Sequence, residues 1–139
     1  MTEYLLHPGV GIGPIHLGMT QAEVREGMPT PAKPFTRGKT HVDAFDSFQV
    51  NYSANGVVDF LEIAPNPGTR LLFEGRDLLS TPMRELVALF SAHEPYTLRE
   101  STTYHFPSLR VALWRDISFD EELDGFVESI STWTPDYWT

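Results

Sequence analysis

Two separate stretches of this chain read alike, and that constrains its fold more than any other feature. Asn55-Gly56-Val57-Val58-Asp59-Phe60-Leu61-Glu62-Ile63 is echoed by Asp124-Gly125-Phe126-Val127-Glu128-Ser129-Ile130-Ser131-Thr132. Upstream, residues 17–28 read like residues 79–90, with Glu23-Val24 falling on Glu85-Leu86. Between these blocks, Phe48, Val50 and Tyr52 match the alternation of Leu109, Val111 and Leu113. The order helix, strand, turn, strand therefore occurs twice. The 139 residues suit one domain made of two pseudo-repeats, about 10–66 and 70–134.

Local signals place the elements. Residues 8–18 carry four glycines and two prolines, which suits an irregular stretch or a short edge strand. Thr20-Gln21-Ala22-Glu23 is a capping box, and Met19 with Val24 fits a hydrophobic staple. Gly27 and Pro29 keep the helix short. Residues 29–44 read as a long, basic connection with Lys33, Arg37, Lys39 and His41. The alternation at Phe48, Val50 and Tyr52 predicts a half-buried strand. Asn55-Gly56 predicts a two-residue hairpin loop, with residues 57–64 as the returning strand.

The second copy follows the same logic. Residues 70–74 suit a strand. A helix over 82–93 has Thr81 as its cap, Pro82 at its first position and a stripe of Met83, Leu86, Val87 and Phe90. Residues 104–114 and 126–133 form a second hairpin with a longer, acidic loop. The predicted fold class is α+β: a tandem repeat of a helix plus an antiparallel hairpin, with both helices on one face of an antiparallel sheet. Pairing the repeats edge to edge would remove one exposed edge from each.

Composition narrows the partners. The formal net charge of −9 argues against nucleic acid, because phosphate contacts need clustered Lys and Arg. It argues equally against anionic membranes and suits either plain solubility or a basic protein partner. The absence of cysteine excludes disulfides, thiolate catalysis and Cys-ligated zinc. The first residues lack the basic and apolar regions of a signal peptide, so the expected location is the cytoplasm.

Candidate chemistry is sparse. Gly9-Val10-Gly11-Ile12-Gly13 lacks the helix that a dinucleotide loop opens, and Met19-Thr20 stands where a P-loop needs Lys-Ser/Thr. The five histidines, His7, His16, His41, His93 and His105, offer no metal-binding pair at helical spacing. His41 and Asp43 suit a base–carboxylate pair, yet nothing marks a nucleophile beside them. Asp116, Asp120, Glu121, Glu122 and Asp124 crowd the second hairpin, and position twelve of the calcium-loop spacing begun at Asp116 is Val127. These acids read as a solvated tip or as a patch for a basic partner. Trp133, Tyr137 and Trp138 lie within six residues: Trp133 reads as core or lid, while Tyr137 and Trp138 suit core or contact equally. No cofactor, metal or catalytic residue is expected.

The run Gly11-Ile12-Gly13-Pro14-Ile15-His16-Leu17-Gly18-Met19 resembles the opening of a group of small uncharacterised bacterial proteins. Leu17-Gly18-Met19-Thr20 with Glu23-Val24 is similar to the helix start in the superfamily of outer-membrane assembly lipoproteins and β-lactamase inhibitor protein. The resemblance implies protein binding without catalysis, and the inhibitor is itself a tandem repeat of a helix-and-sheet unit. This chain departs in having neither a lipid-anchor nor a disulfide cysteine. The leading expectation is a non-enzymatic protein-binding module, of immunity or antitoxin type. It would use a concave sheet face with the acidic hairpin as rim, and the partner-binding residues would be Asp116, Asp120, Glu121, Glu122, Asp124, Tyr137 and Trp138. Two rivals stand beside it. One is a small-molecule binder or enzyme with a pocket between the repeats, near His41, Asp43 or His105. The other is a structural homo-oligomer joined through free sheet edges.

Overall fold

The computed structural model describes residues 2–100, 102–115 and 124–137. Strands β1 (Thr2–His7), β2 (Gly11–Ile12) and β3 (Ile15–His16) lead into α1 (Gln21–Gly27). Four strands follow: β4 (Lys33–Arg37), β5 (Thr40–Ala44), β6 (Phe48–Tyr52) and β7 (Val58–Ile63). Next come β8 (Thr69–Phe73), β9 (Arg76–Asp77), a 3-10 turn (Leu78–Ser80) and α2 (Met83–Ser91). Four more strands complete the described chain: β10 (Thr97–Arg99), β11 (Thr103–Phe106), β12 (Val111–Trp114) and β13 (Ser129–Trp133).

The strands that follow the helices form one antiparallel sheet of eight, ordered β10-β11-β12-β13-β7-β6-β5-β4. The strands before the helices form a second sheet of five, ordered β3-β2-β1-β8-β9, in which β1 and β8 run parallel. The fold is α+β, as expected, but the five-stranded sheet is an addition. Strand β1 carries a mixed run, Thr-Glu-Tyr-Leu-Leu-His, of which only Leu6 is buried, so its alternation is faint in the sequence.

Pairing assigns the faces of the large sheet. Phe48, Val50, Leu61, Ile63, Val111, Leu113 and Ile130 share one buried cluster with Val24 of α1 and with Met83, Leu86 and Phe90 of α2. Both helices therefore pack on the same face. Their intervening neighbours, including Gln49, Phe60, Glu62, Ser131 and Ala112, turn to the other face because successive strand side chains alternate. The helices are seven and nine residues long, too short to persist alone, so this packing holds them.

The expected start of α1 holds. The Thr20 hydroxyl accepts from the Glu23 N–H at 3.2 Å, and the Glu23 carboxylate accepts from the Thr20 N–H at 2.9 Å, closing the capping box. Other expectations are corrected. Residues 29–44 are not a connection: they form β4 and β5, a hairpin turned at Gly38. All five residues of β4 are exposed, which is why the edge strand shows no alternation. At Asn55-Gly56 only Gly56 has a positive φ, and Ser53 N–H donates to the Val57 carbonyl. The loop is thus a type I turn with a glycine bulge, not a two-residue one.

The α2 cap also differs. Pro82 is the N-cap, and the Thr81 hydroxyl instead donates to the Asp77 carbonyl at 2.7 Å. The Met83 N–H that this leaves is met by the Gly125 carbonyl at 2.7 Å. Residues 104–114 hold two strands, β11 and β12, and a turn that Arg110 closes at φ 58°. Residues 126–133 supply a strand only from Ser129 onward.

One polar group sits beneath α1. Asp43 is fully buried on the helix-covered face, opposite Val50. Arg25 donates Nε to Oδ2 at 3.0 Å and Nη2 to Oδ1 at 2.8 Å, and the Tyr52 hydroxyl adds a bond at 2.9 Å. Gln21 completes the set at 3.4 Å. Burial pushes the Asp43 carboxyl up, but the bonds from Arg25 and Tyr52 and the Arg25 charge outweigh it and hold it below the ordinary value. Because the Arg25 side chain is 42% exposed, solvent screens part of the pair. Asp43→Asn is therefore expected to cost about 1–3 kcal/mol at neutral pH, measured by denaturant unfolding. The stability that Asp43 contributes is full above its ordinary value of 3.8 and fades as pH falls through the lowered native value. The variant should lack that acid-side loss.

Candidate functional site: the open face of the large sheet

The face turned away from the helices is built from the alternate residues of each strand. His105, Ala112, Ser131, Glu62 and Gln49 lie in register across five strands. A second register row runs Trp133, Phe60, Asn51, Val42 and Phe35. Thr103, Trp114 and Ser129 make a third. These rows give the face an aromatic line interleaved with small and polar groups.

The aromatics are packed on one another. The His105 ring stacks on Trp133 with centroids 4.6 Å apart, and Phe60 stacks on the far side of the line at 6.5 Å from Trp133. The C-terminal segment returns over this face: the Thr134 N–H donates to the Asp59 carbonyl at 3.0 Å. That tether lays Tyr137 on Phe60, centroids 5.0 Å apart, with its hydroxyl bonded to Asn51. Burial pushes the Tyr137 hydroxyl up. At the other end, Trp114 is 39% exposed, and a cleft of about 240 Å³ opens between it, His105, Glu62 and Arg99. The Ser129 hydroxyl donates to the Glu62 carboxylate at 3.1 Å on its floor.

The expected site residues fall as follows. Asp116, Asp120, Glu121, Glu122 and Trp138 lie outside the described residues. Asp124 is exposed, with Arg84 Nε at 3.4 Å from it. Tyr137 is half-buried on the open face, and Trp133 is buried on that same face beside His105, outside the apolar cluster beneath the helices. The His41–Asp43 pair does not form, since Asp43 bonds to Arg25, Tyr52 and Gln21 while His41 stays exposed. Among the described residues, no three His, Asp or Glu side chains converge as metal ligands would. The glycine stretch is structural: Gly9 has φ 71°, its N–H donates to Thr132 Oγ1 at 2.8 Å, and a side chain there would strike the Arg110 guanidinium.

Sequence reasoning missed Trp114, His105, Phe60, Glu62 and Ser129 as members of one surface. Their signal was the second set of each alternating strand, which reads as ordinary polar-out positions until the strand order is known.

Compared with known proteins, the chain matches no family model, and no similar curated protein or solved structure is found. Among the described residues, no helix is long and apolar enough to cross a membrane.

Burial lowers the His105 imidazole below its ordinary value, and the Arg99 charge adds to this. The folded state therefore binds that proton less readily than the unfolded chain. Stability should fall as pH drops from about 6.5 toward the lower native value, because the unfolded His takes the proton first. His105→Gln is expected to flatten this slope, read from unfolding midpoints between pH 7.5 and 5.

Proposed function

We propose that the chain is a tandem duplication of a helix followed by a four-stranded meander, and that it works as a non-enzymatic protein-binding module. The duplication is supported by the β7–β13 pairing. If Leu61 corresponds to Ile130 and Ile63 to Thr132, as the two similar segments imply, a two-fold axis exchanges Leu61↔Thr132 with Ile130↔Ile63. Ser131↔Glu62 then lies on that axis. The bridges Thr20↔Val57 and Pro82↔Phe126 join the same positions of the two units. The duplicated interior is filled by side chains from both halves in one apolar cluster.

The protein-binding reading rests on one observation. Among the described residues no helix covers the second face of the large sheet, which carries a line of aromatic groups from Phe35 to Trp114. Trp and Tyr held rigidly among hydrogen-bonding neighbours are the anchors of protein interfaces. The net charge of −9 favours a basic partner, steered by complementary fields. Glu62 and Glu100 flank Trp114, and Asp59 and Asp136 lie near Tyr137. An immunity or antitoxin-type inhibitor of a basic protein, acting in the cytoplasm, fits this surface and the resemblance to inhibitor proteins.

The test is capture of a partner from lysate of the source organism at low and at high salt. The expected result is a stoichiometric basic protein, released by salt, whose affinity drops at least about 30-fold with Trp114→Ala, the 2 kcal/mol threshold of an interface hot spot. A partner bound equally well by Trp114→Ala would contradict the assignment of this face.

A further inference from the structure

A second site lies at the end of β5, β6 and β7, away from Trp114. A cleft of about 590 Å³ opens there between Gln21 of α1, the turn before β5, the β6–β7 turn and Tyr137. Its size falls in the range of small-molecule sites, roughly 300–1,000 Å³. The walls belong to the first half of the chain and to the C-terminal segment, so it is distinct from a pocket between the halves.

The polar groups in the walls are unusual. Asp59 Oδ1 and Ser53 Oγ are both buried, and neither has a hydrogen-bond partner among the described residues. An orphaned buried acceptor costs about 1–3 kcal/mol, more when charged, so two in one cleft point to a donor that arrives from outside. Asp59 is there because of a bulge: β6 and β7 slip register between Asn51 and Tyr52, and Asp59 has no counterpart in the ladder. Burial pushes its carboxyl up against the opposing bond from its own backbone N–H, and the Asp136 charge adds to the rise, so a positive group beside it would be favoured. Rings of Tyr52 and Tyr137 line the same cleft and suit a cation. Lys39, which is exposed, lines the same cleft and makes no ion pair among the described residues, and His41 lines it too.

We propose that this cleft binds a small zwitterion of the amino-acid class. Its ammonium group bonds to Asp59 and Ser53, and its carboxylate faces Lys39. A ligand with only positive groups would meet Lys39 unfavourably. A ligand with only negative groups would meet Asp59. A cleft that holds both an unpartnered acceptor and an exposed cation selects a molecule that carries both signs.

The experiment is an amide chemical-shift titration of the intact chain with each of the twenty free amino acids at millimolar concentration. At least one is expected to shift the amides of Lys39, Ser53 and Gly56 saturably. For that amino acid, Asp59→Asn should weaken binding at least about tenfold, the loss of one charge-assisted bond. Lys39→Glu, an exposed change that leaves the fold alone, should weaken it as well. The matching amine without its carboxylate and the matching acid without its amine should each bind more weakly than the parent. The absence of any saturable shift overturns the proposal, and so does binding that is indifferent to Asp59→Asn and Lys39→Glu. Trp114→Ala, which is expected to weaken capture of a protein partner, should leave amino-acid binding unchanged because Trp114 lies outside this cleft, so the two assignments fail separately.

Discussion

The pairing of β7 with β13 is the interaction on which the rest of the structure depends. It joins the last strand of one four-stranded meander to the last strand of the other. Without it the sheet would be two separate ribbons, each with an exposed inner edge. With it, Ile63 and Ile130 lie side by side in the core, and Leu61 lies beside Thr132. The period-two alternation then forces Glu62 and Ser131 together at the middle of the opposite face. The same contact thus closes the core and sets the surface that we assign to binding.

The two halves carry the seam differently. In the second, α2 is held by aromatic packing: Phe90 stacks on Phe73 at 5.0 Å and lies 5.5 Å from Phe106 of β11. In the first, α1 reaches the sheet through the Arg25–Asp43 pair, and Asp43 also accepts from the Tyr52 hydroxyl of the neighbouring strand. An apolar contact tolerates small shifts, whereas a bidentate ion pair fixes an orientation. The polar half also bears the β6–β7 bulge and the larger cleft. Thr132 links the halves to the N-terminal stretch, accepting from the Gly9 N–H while donating to the Arg110 carbonyl at 2.6 Å.

How much of this was legible follows from which residues are buried. The capping box at Thr20 and the stripe of Met83, Leu86 and Phe90 were readable because their chemistry is local. The similar segments at 55–63 and 124–132 located β7 and β13, since both halves bury the same positions, Val58 with Val127 and Leu61 with Ile130. The strand before each was harder. Val50 pairs with Leu61 as Leu113 pairs with Ile130, so under the proposed duplication Val50 corresponds to Leu113 and not to Val111, two residues away. An even shift keeps every side chain on its face, and alternation alone cannot detect it. Strands β4 and β10 stayed hidden because all their residues are exposed, and β1 because its partner β8 is distant in sequence. The open face was hidden for another reason. Trp114, His105 and Phe60 come together only through strand order, which no local pattern encodes.

The two halves meet through β7 and β13 in a register that sets Glu62 opposite Ser131. The chain has no cysteine, so a pair can be introduced without competition. Glu62→Cys with Ser131→Cys places two thiols directly opposite on the open face, within the reach of a disulfide. Glu62→Cys with Thr132→Cys places them on opposite faces. Mild oxidation is expected to close an intramolecular disulfide in the first pair and not in the second. Closure of the second pair, or of neither, would contradict that register.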